Sequence, residues 1–100
     1  MTTPMNYANL TLDEEDDPLP QKFKFPSMRK YSGTDDPHMH LKQYFTYMKA
    51  TWLSKAQIIK QFPLPLKETS IKWYYNLDVH VQRDWKELCS TFIKQYGLNL

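Results

Sequence analysis

Three histidines, one cysteine and eleven acidic side chains are the groups in this 100-residue sequence whose chemistry could go beyond packing. His38 and His40 stand two positions apart. On a helix that spacing turns the side chains about 200° apart, so one face cannot offer both to a single metal ion. His80 lies far along the chain, and a three-histidine zinc site would require all three to converge through the fold. The reading taken here is surface histidines, with His38 and His40 beside a helix N-terminus. Cys89 has Trp85, Leu88, Phe92 and Ile93 around it at helical spacing. A nucleophilic thiol needs a histidine beside it, whereas a thiol on an apolar face packs as a small core residue. A lone cysteine also excludes an internal disulfide and a cysteine-based zinc site. It suits a reducing, cytoplasmic setting.

The acids divide into two groups. Asp13, Glu14, Glu15, Asp16 and Asp17 form a run without the spacing or the glycine of a calcium loop, so they read as a solvated tail. Asp78, Asp84 and Glu87 fall where turns and helix caps need them rather than as a pair in a pocket. With only two glycines there is no phosphate-cradling loop, and neither Gly-x-Ser-x-Gly nor His-Glu-x-x-His occurs. No catalytic, cofactor-binding or metal-binding residue is therefore assigned. The chain is expected not to be an enzyme and to need no cofactor and no small-molecule substrate.

The net charge of +2 conceals an asymmetry. Residues 1–21 hold five of the eleven acids and no base, which leaves six acids against all thirteen bases in residues 22–100. A moderate basic excess permits contact with a polyanion without demanding it. Lys42, Lys49, Lys60, Lys67 and Lys72 could form a weak phosphate-contacting patch, and Tyr74 and Tyr75 could stack on bases. No lysine stripe forms, however, and the aromatics recur at core spacing. No apolar run reaches the ~18–20 residues that span a bilayer, so no membrane partner is expected. Met1–Asp17 lacks the basic and apolar regions of a secretory signal.

The elements that would position these groups are helical. Residues 1–21 lack periodicity, contain Pro4, Pro18 and Pro20, and read as a disordered acidic leader. Residues 22–33 read as an extended strap that lays Phe23, Phe25, Met28 and Tyr31 on the body, with Gly33 turning the chain. Asp36-Pro37 starts a helix over roughly 37–53, whose apolar face is Leu41, Tyr44, Phe45, Met48 and Trp52. Ser54 caps a short second helix carrying Ile58, Ile59 and Phe62, and Pro63 and Pro65 end it. Helical spacing resumes from Leu66 to Leu77, and Asn76, Asp78 and His80 mark an exit into a loop. Asp84 and Glu87 form the signature of a capping box before a last helix that Gly97 ends. Trp73 and Trp85 are expected to be mostly buried. The predicted architecture is all-α: about four helices in a small bundle over residues 22–100, behind the strap and the leader.

Several of these residues together resemble the retrotransposon Gag domain of Ty3/Gypsy elements. The first stretch is Phe25-Pro26-Ser27-Met28-Arg29-Lys30-Tyr31-Ser32-Gly33 followed by Asp36-Pro37-His38-x-x-Leu41. Phe62-Pro63-Leu64-x-Leu66-Lys67 and Ile71-Lys72-Trp73-Tyr74-Tyr75-x-Leu77 are similar to the family's Phe-Pro-x-x-Leu-x-Gly-x-Ala-x-x-Trp-Phe/Tyr pattern. Trp85-x-x-Leu88-x-x-x-Phe92 is similar to its Trp-x-x-Leu-x-x-x-Phe pattern. The resemblance covers about residues 23–97. Glu68 and Thr69 stand near places where the family often has Gly and Ala, and Ser70 is small enough to keep a helix contact close.

The resemblance implies the N-terminal region of a capsid-forming Gag protein of an LTR retrotransposon. Copies would self-associate into virus-like particles around element RNA, with help from a downstream lobe and with RNA contacted weakly or indirectly. On that reading the isolated domain is monomeric or weakly dimeric at micromolar concentration. The other class is a small basic helical module that binds nucleic acid or protein, including a co-opted Gag fragment.

Overall fold

The computed structural model describes residues 18–97. Most of the expected acidic leader, residues 1–17, lies outside the described residues. Among the described residues there are five helices and no strand, so the all-α architecture holds with one helix more than expected.

Four of the five helices start where a side chain takes up free N–H groups. Helix α1, Pro37–Lys49, begins at Asp36, whose carboxylate accepts from the His38 N–H at 2.9 Å, with Pro37 in the first turn. Helix α2, Lys55–Lys60, has a full capping box. The Gln57 N–H donates to Ser54 Oγ at 3.2 Å and the Ser54 N–H donates to Gln57 Oε1 at 2.7 Å. Helix α3, Thr69–Tyr75, has no side-chain cap and follows Glu68 at φ 57°. Helix α4, Val79–Arg83, is capped by Asp78, which accepts from the His80 N–H at 2.8 Å. Helix α5, Trp85–Tyr96, is capped by Asp84, which accepts from the Lys86 and Glu87 N–H groups.

Three expected boundaries move. The first helix ends at Lys49 rather than near residue 53 because Thr51 folds back on it. Thr51 N–H and Oγ1 both donate to the Met48 carbonyl, at 3.0 and 2.5 Å, and Trp52 then turns left-handed at φ 64°. The third helix starts at Thr69, not Leu66, because Leu66 is drawn into an isolated parallel bridge with Tyr31. The loop expected around Asp78 and His80 contains helix α4, which Asp78 starts.

The core is an aromatic cluster. Phe62 and Phe92 lie 5.4 Å apart, ring centre to ring centre, at 89°. Tyr31, His40, Trp73 and Tyr96 surround Phe92 at 5.1–5.7 Å. Tyr44, Met48, Leu66 and Leu88 complete the buried set. Edge-to-face geometry of this kind adds to the area buried by each ring. The Tyr44 hydroxyl donates to the Ile58 carbonyl, tying α1 to α2. The strap is pinned at Tyr31, whose N–H donates to Pro65 O at 2.7 Å and whose carbonyl accepts from Lys67 N–H at 3.0 Å. Ser70 Oγ donates to the same carbonyl at 2.6 Å. Phe23, Phe25 and Met28 pack half-buried on the core, as the strap reading requires. Gly33 sits at φ 116°, and a Cβ there would meet Tyr96 Cε1 at 3.0 Å. A side chain at that position would be strained and crowded together.

Trp73 and Trp85 are largely covered, as expected, but they pack against the core rather than inside it. Phe92 and Leu88 take the interior positions of the last helix. Trp85 then lies across the outer edge of the core, at 5.8 Å from Phe62 on one side and 5.5 Å from Phe45 on the other.

Candidate functional site

The candidate site is an apolar groove at the C-terminal end of α1, where that helix, the link after it, α2 and the start of α5 meet. Ile58, Ile59 and Leu53 line it together with the rings of Phe45, Trp52 and Trp85, and it encloses about 360 Å³. That volume lies in the range of ligand and peptide-anchor pockets. Lys49 and Lys55 complete the lining, which contains no acidic residue. Phe45 and Trp85 stack at 5.5 Å and 16°, and the Lys49 ammonium sits 4.8 Å over the Phe45 ring. A cation held on a ring face keeps its charge at the edge of the apolar surface.

Trp52 dominates the rim. Its side chain is 94% exposed, and its backbone holds the left-handed conformation that disfavours a residue with a Cβ. The cause is local: only residues 50–53 separate α1 from the Ser54 cap of α2, so the chain must reverse sharply. Helical spacing placed Phe45 and Trp52 on the core face of α1. The face that is buried runs instead through Pro37, His40, Tyr44 and Met48. Phe45 is 37% exposed. The short link between two caps was the sequence feature that could have revealed the exposed tryptophan.

The titratable residues singled out in the sequence are not brought together. His38 and His80 are exposed and their backbone N–H groups serve caps. His40 is not the surface residue expected: it is 6% exposed, with its ring 5.0 Å from Tyr31 and 5.7 Å from Phe92. It lies three residues after Pro37 on the interior face of α1, shared with Tyr44 and Met48, and its Nε2 has no hydrogen-bond partner. Burial pushes its pKa down to about 4, against a smaller opposing pull from Asp35. Cys89 is half-buried, and burial pushes its thiol up to about 11, away from nucleophilic use. Among the described residues, no group of three or more His, Cys, Asp or Glu is placed to hold a metal ion. Among them too, no helix is long and apolar enough to cross a membrane.

The nucleic-acid patch is dispersed. Lys42, Lys49, Lys60, Lys67 and Lys72 are all exposed, but they are distributed over α1, α2, α3 and the turn before α3. Tyr74 is buried against Phe62, and burial with the neighbouring Tyr75 pushes its hydroxyl up to about 12. Tyr75 is 65% exposed and meets Tyr74 edge-on at 5.2 Å. Of the two expected stacking rings, only that of Tyr75 is presented to solvent.

Comparison with protein-family models, with curated proteins and with solved structures returns no match to this chain.

Proposed function

We propose that this chain is a structural, capsid-type domain of the Ty3/Gypsy Gag kind, built to pack against other copies of itself rather than to catalyse. The observation that carries the reading is where the resembling motifs fall. Tyr31, Phe62, Leu66, Leu88 and Phe92, drawn from separate motifs, converge on a single core, with Trp73 and Trp85 packed against it. In the register of the Phe-Pro-x-x-Leu-x-Gly-x-Ala pattern, the glycine falls on Glu68. Glu68 has φ 57° and ψ −127°, a backbone conformation that glycine adopts without strain. The alanine of that pattern falls on Ser70, which is fully buried beneath the Tyr31 carbonyl. Both positions support the resemblance through backbone and packing demands rather than residue identity.

The test is assembly. The full reading frame that contains this chain is expected to form particles visible by negative-stain microscopy, while the 100-residue chain alone sediments as a monomer or weak dimer at micromolar concentration. A full-frame protein that stays monomeric across salt and RNA conditions would remove the capsid reading.

A second reading, a protein-binding module of Gag ancestry, is favoured by one observation: the apolar groove edged by Lys49, Lys55 and the exposed Trp52. Apolar side chains in such number at a surface mark contact sites more often than solvent-facing ones.

A further inference from the structure

The groove has two properties that together select an occupant. Its floor is aliphatic and aromatic, and its only charged lining residues are two lysines. A complementary segment would therefore carry leucine-like anchors next to a run of acids, so that burial and charge pairing act together. The sequence contains such a segment in Leu10-Thr11-Leu12 followed by Asp13, Glu14, Glu15, Asp16 and Asp17.

The point where that segment joins the body favours the same pairing. Gln57 Nε2 donates to the Pro18 carbonyl at 2.6 Å, holding residue 18 beside α2. Helix α2 is the element that supplies Lys55, Ile58 and Ile59 to the groove. Extended chain advances about 3.3 Å per residue, so Leu12 reaches about 20 Å from Pro18 and Leu10 about 26 Å. The helix to be rounded is about 10–12 Å across. The acids follow Leu12 directly, which sets them opposite the lysine rim when the leucines enter the floor.

We propose that residues 10–17 of this chain dock intramolecularly into the groove, with Leu10 and Leu12 on the Ile58, Ile59 and Trp52 surface and the acidic run against Lys49 and Lys55. The leader then acts as a built-in competitor for any partner that uses the groove. This holds whether or not the chain builds particles, since it requires only the groove and the leader.

The experiment uses the whole 100-residue chain, labelled with ¹⁵N. The indole signal of Trp52, assigned by its loss in Trp52→Phe, is followed for attenuation by a soluble gadolinium chelate. Three variants are compared with wild type: a neutralised leader (Asp13→Asn, Glu14→Gln, Glu15→Gln, Asp16→Asn, Asp17→Asn), Leu10→Ser with Leu12→Ser, and Lys49→Glu with Lys55→Glu. Each is expected to raise attenuation at Trp52 at least twofold with the backbone spectrum of α5 unchanged. Half-molar salt should do part of the same. Replacing the five leader acids by lysine in the Lys49→Glu, Lys55→Glu background should restore protection. Equal attenuation of Trp52 in wild type and in the neutralised and leucine variants would overturn the proposal and leave the groove open to another partner. Protection that appears only as the concentration rises, together with a dimer in sedimentation velocity, would overturn the intramolecular arrangement in favour of a second copy's leader.

Discussion

Lowering the pH below neutrality should destabilise this domain through His40. The imidazole lies among Tyr31, Phe62 and Phe92, is 6% exposed, and has a pKa lowered to about 4 by burial. In the unfolded chain a histidine titrates near 6.5. The unfolded state therefore binds the proton more readily, and the stability this neutral ring supports is present above about pH 6.5 and drains away as the pH falls towards 4. Linkage over that gap amounts to about 3 kcal/mol in total, of which about 2 kcal/mol is lost between pH 7.5 and pH 5. For a domain of this size 2 kcal/mol corresponds to a fall of roughly 10 °C in melting temperature. Thermal unfolding at pH 7.5, 6.0 and 5.0, followed by circular dichroism, reads it directly. His40→Phe keeps an aromatic ring in the site, removes the unpartnered Nε2 and should flatten the curve between pH 7.5 and 5. Parallel curves for wild type and His40→Phe would refute the argument, because the acid sensitivity would then belong to other groups.

Three further outcomes follow from particular residues. Glu68→Gly should raise stability by about 1 kcal/mol, measured by urea titration, since glycine relieves the positive φ at the start of α3. Phe92→Ala should lose about 3–5 kcal/mol, as for other fully buried aromatics, while Trp85→Ala should lose less because Trp85 packs at the edge of the core and keeps part of its surface exposed. Cys89, with its thiol raised from 9.0 to about 11, should react with iodoacetamide at pH 7.5 on the order of 100-fold more slowly than an unperturbed thiol.

The fold was legible where one local rule governed. Asp36-Pro37, Ser54 and Asp84 start helices because each offers an oxygen to free N–H groups, and that chemistry is written in three or four adjacent residues. The strap was legible because Phe23 and Phe25 alternate with lysines ahead of Pro26. What escaped depends on contacts between distant residues. Leu66 fits a helical pattern, but its neighbours' hydrogen bonds are claimed by Tyr31. His40 and Phe45 both fit a stripe on α1, and the neighbouring Phe62 and Phe92 decide that the histidine goes inward and the phenylalanine outward. The groove was hidden for the same reason: Trp52 continues the spacing of α1 after the helix itself has ended.

The pinning of the strap at Tyr31 also sets an order of events as the chain folds. Tyr31 and Ser70 are 39 residues apart, and α1 and α2 lie between them. Bringing such distant positions together carries a closure entropy of about 3 kcal/mol, which neighbouring helices do not incur. Contacts within α1–α2 and within α4–α5 can therefore form first, and the strap closes last, once Pro65 and Lys67 are in place to receive it. The same step run backwards is the easiest way to open the native domain in part. Release of two backbone hydrogen bonds, the Ser70 hydroxyl bond to the Tyr31 carbonyl and the Tyr31 ring would uncover the His40 and Phe92 face while the helices stayed formed. In hydrogen exchange the Tyr31 and Lys67 amides should then form a group of their own, exchanging ahead of the interior of α5 and independently of global unfolding.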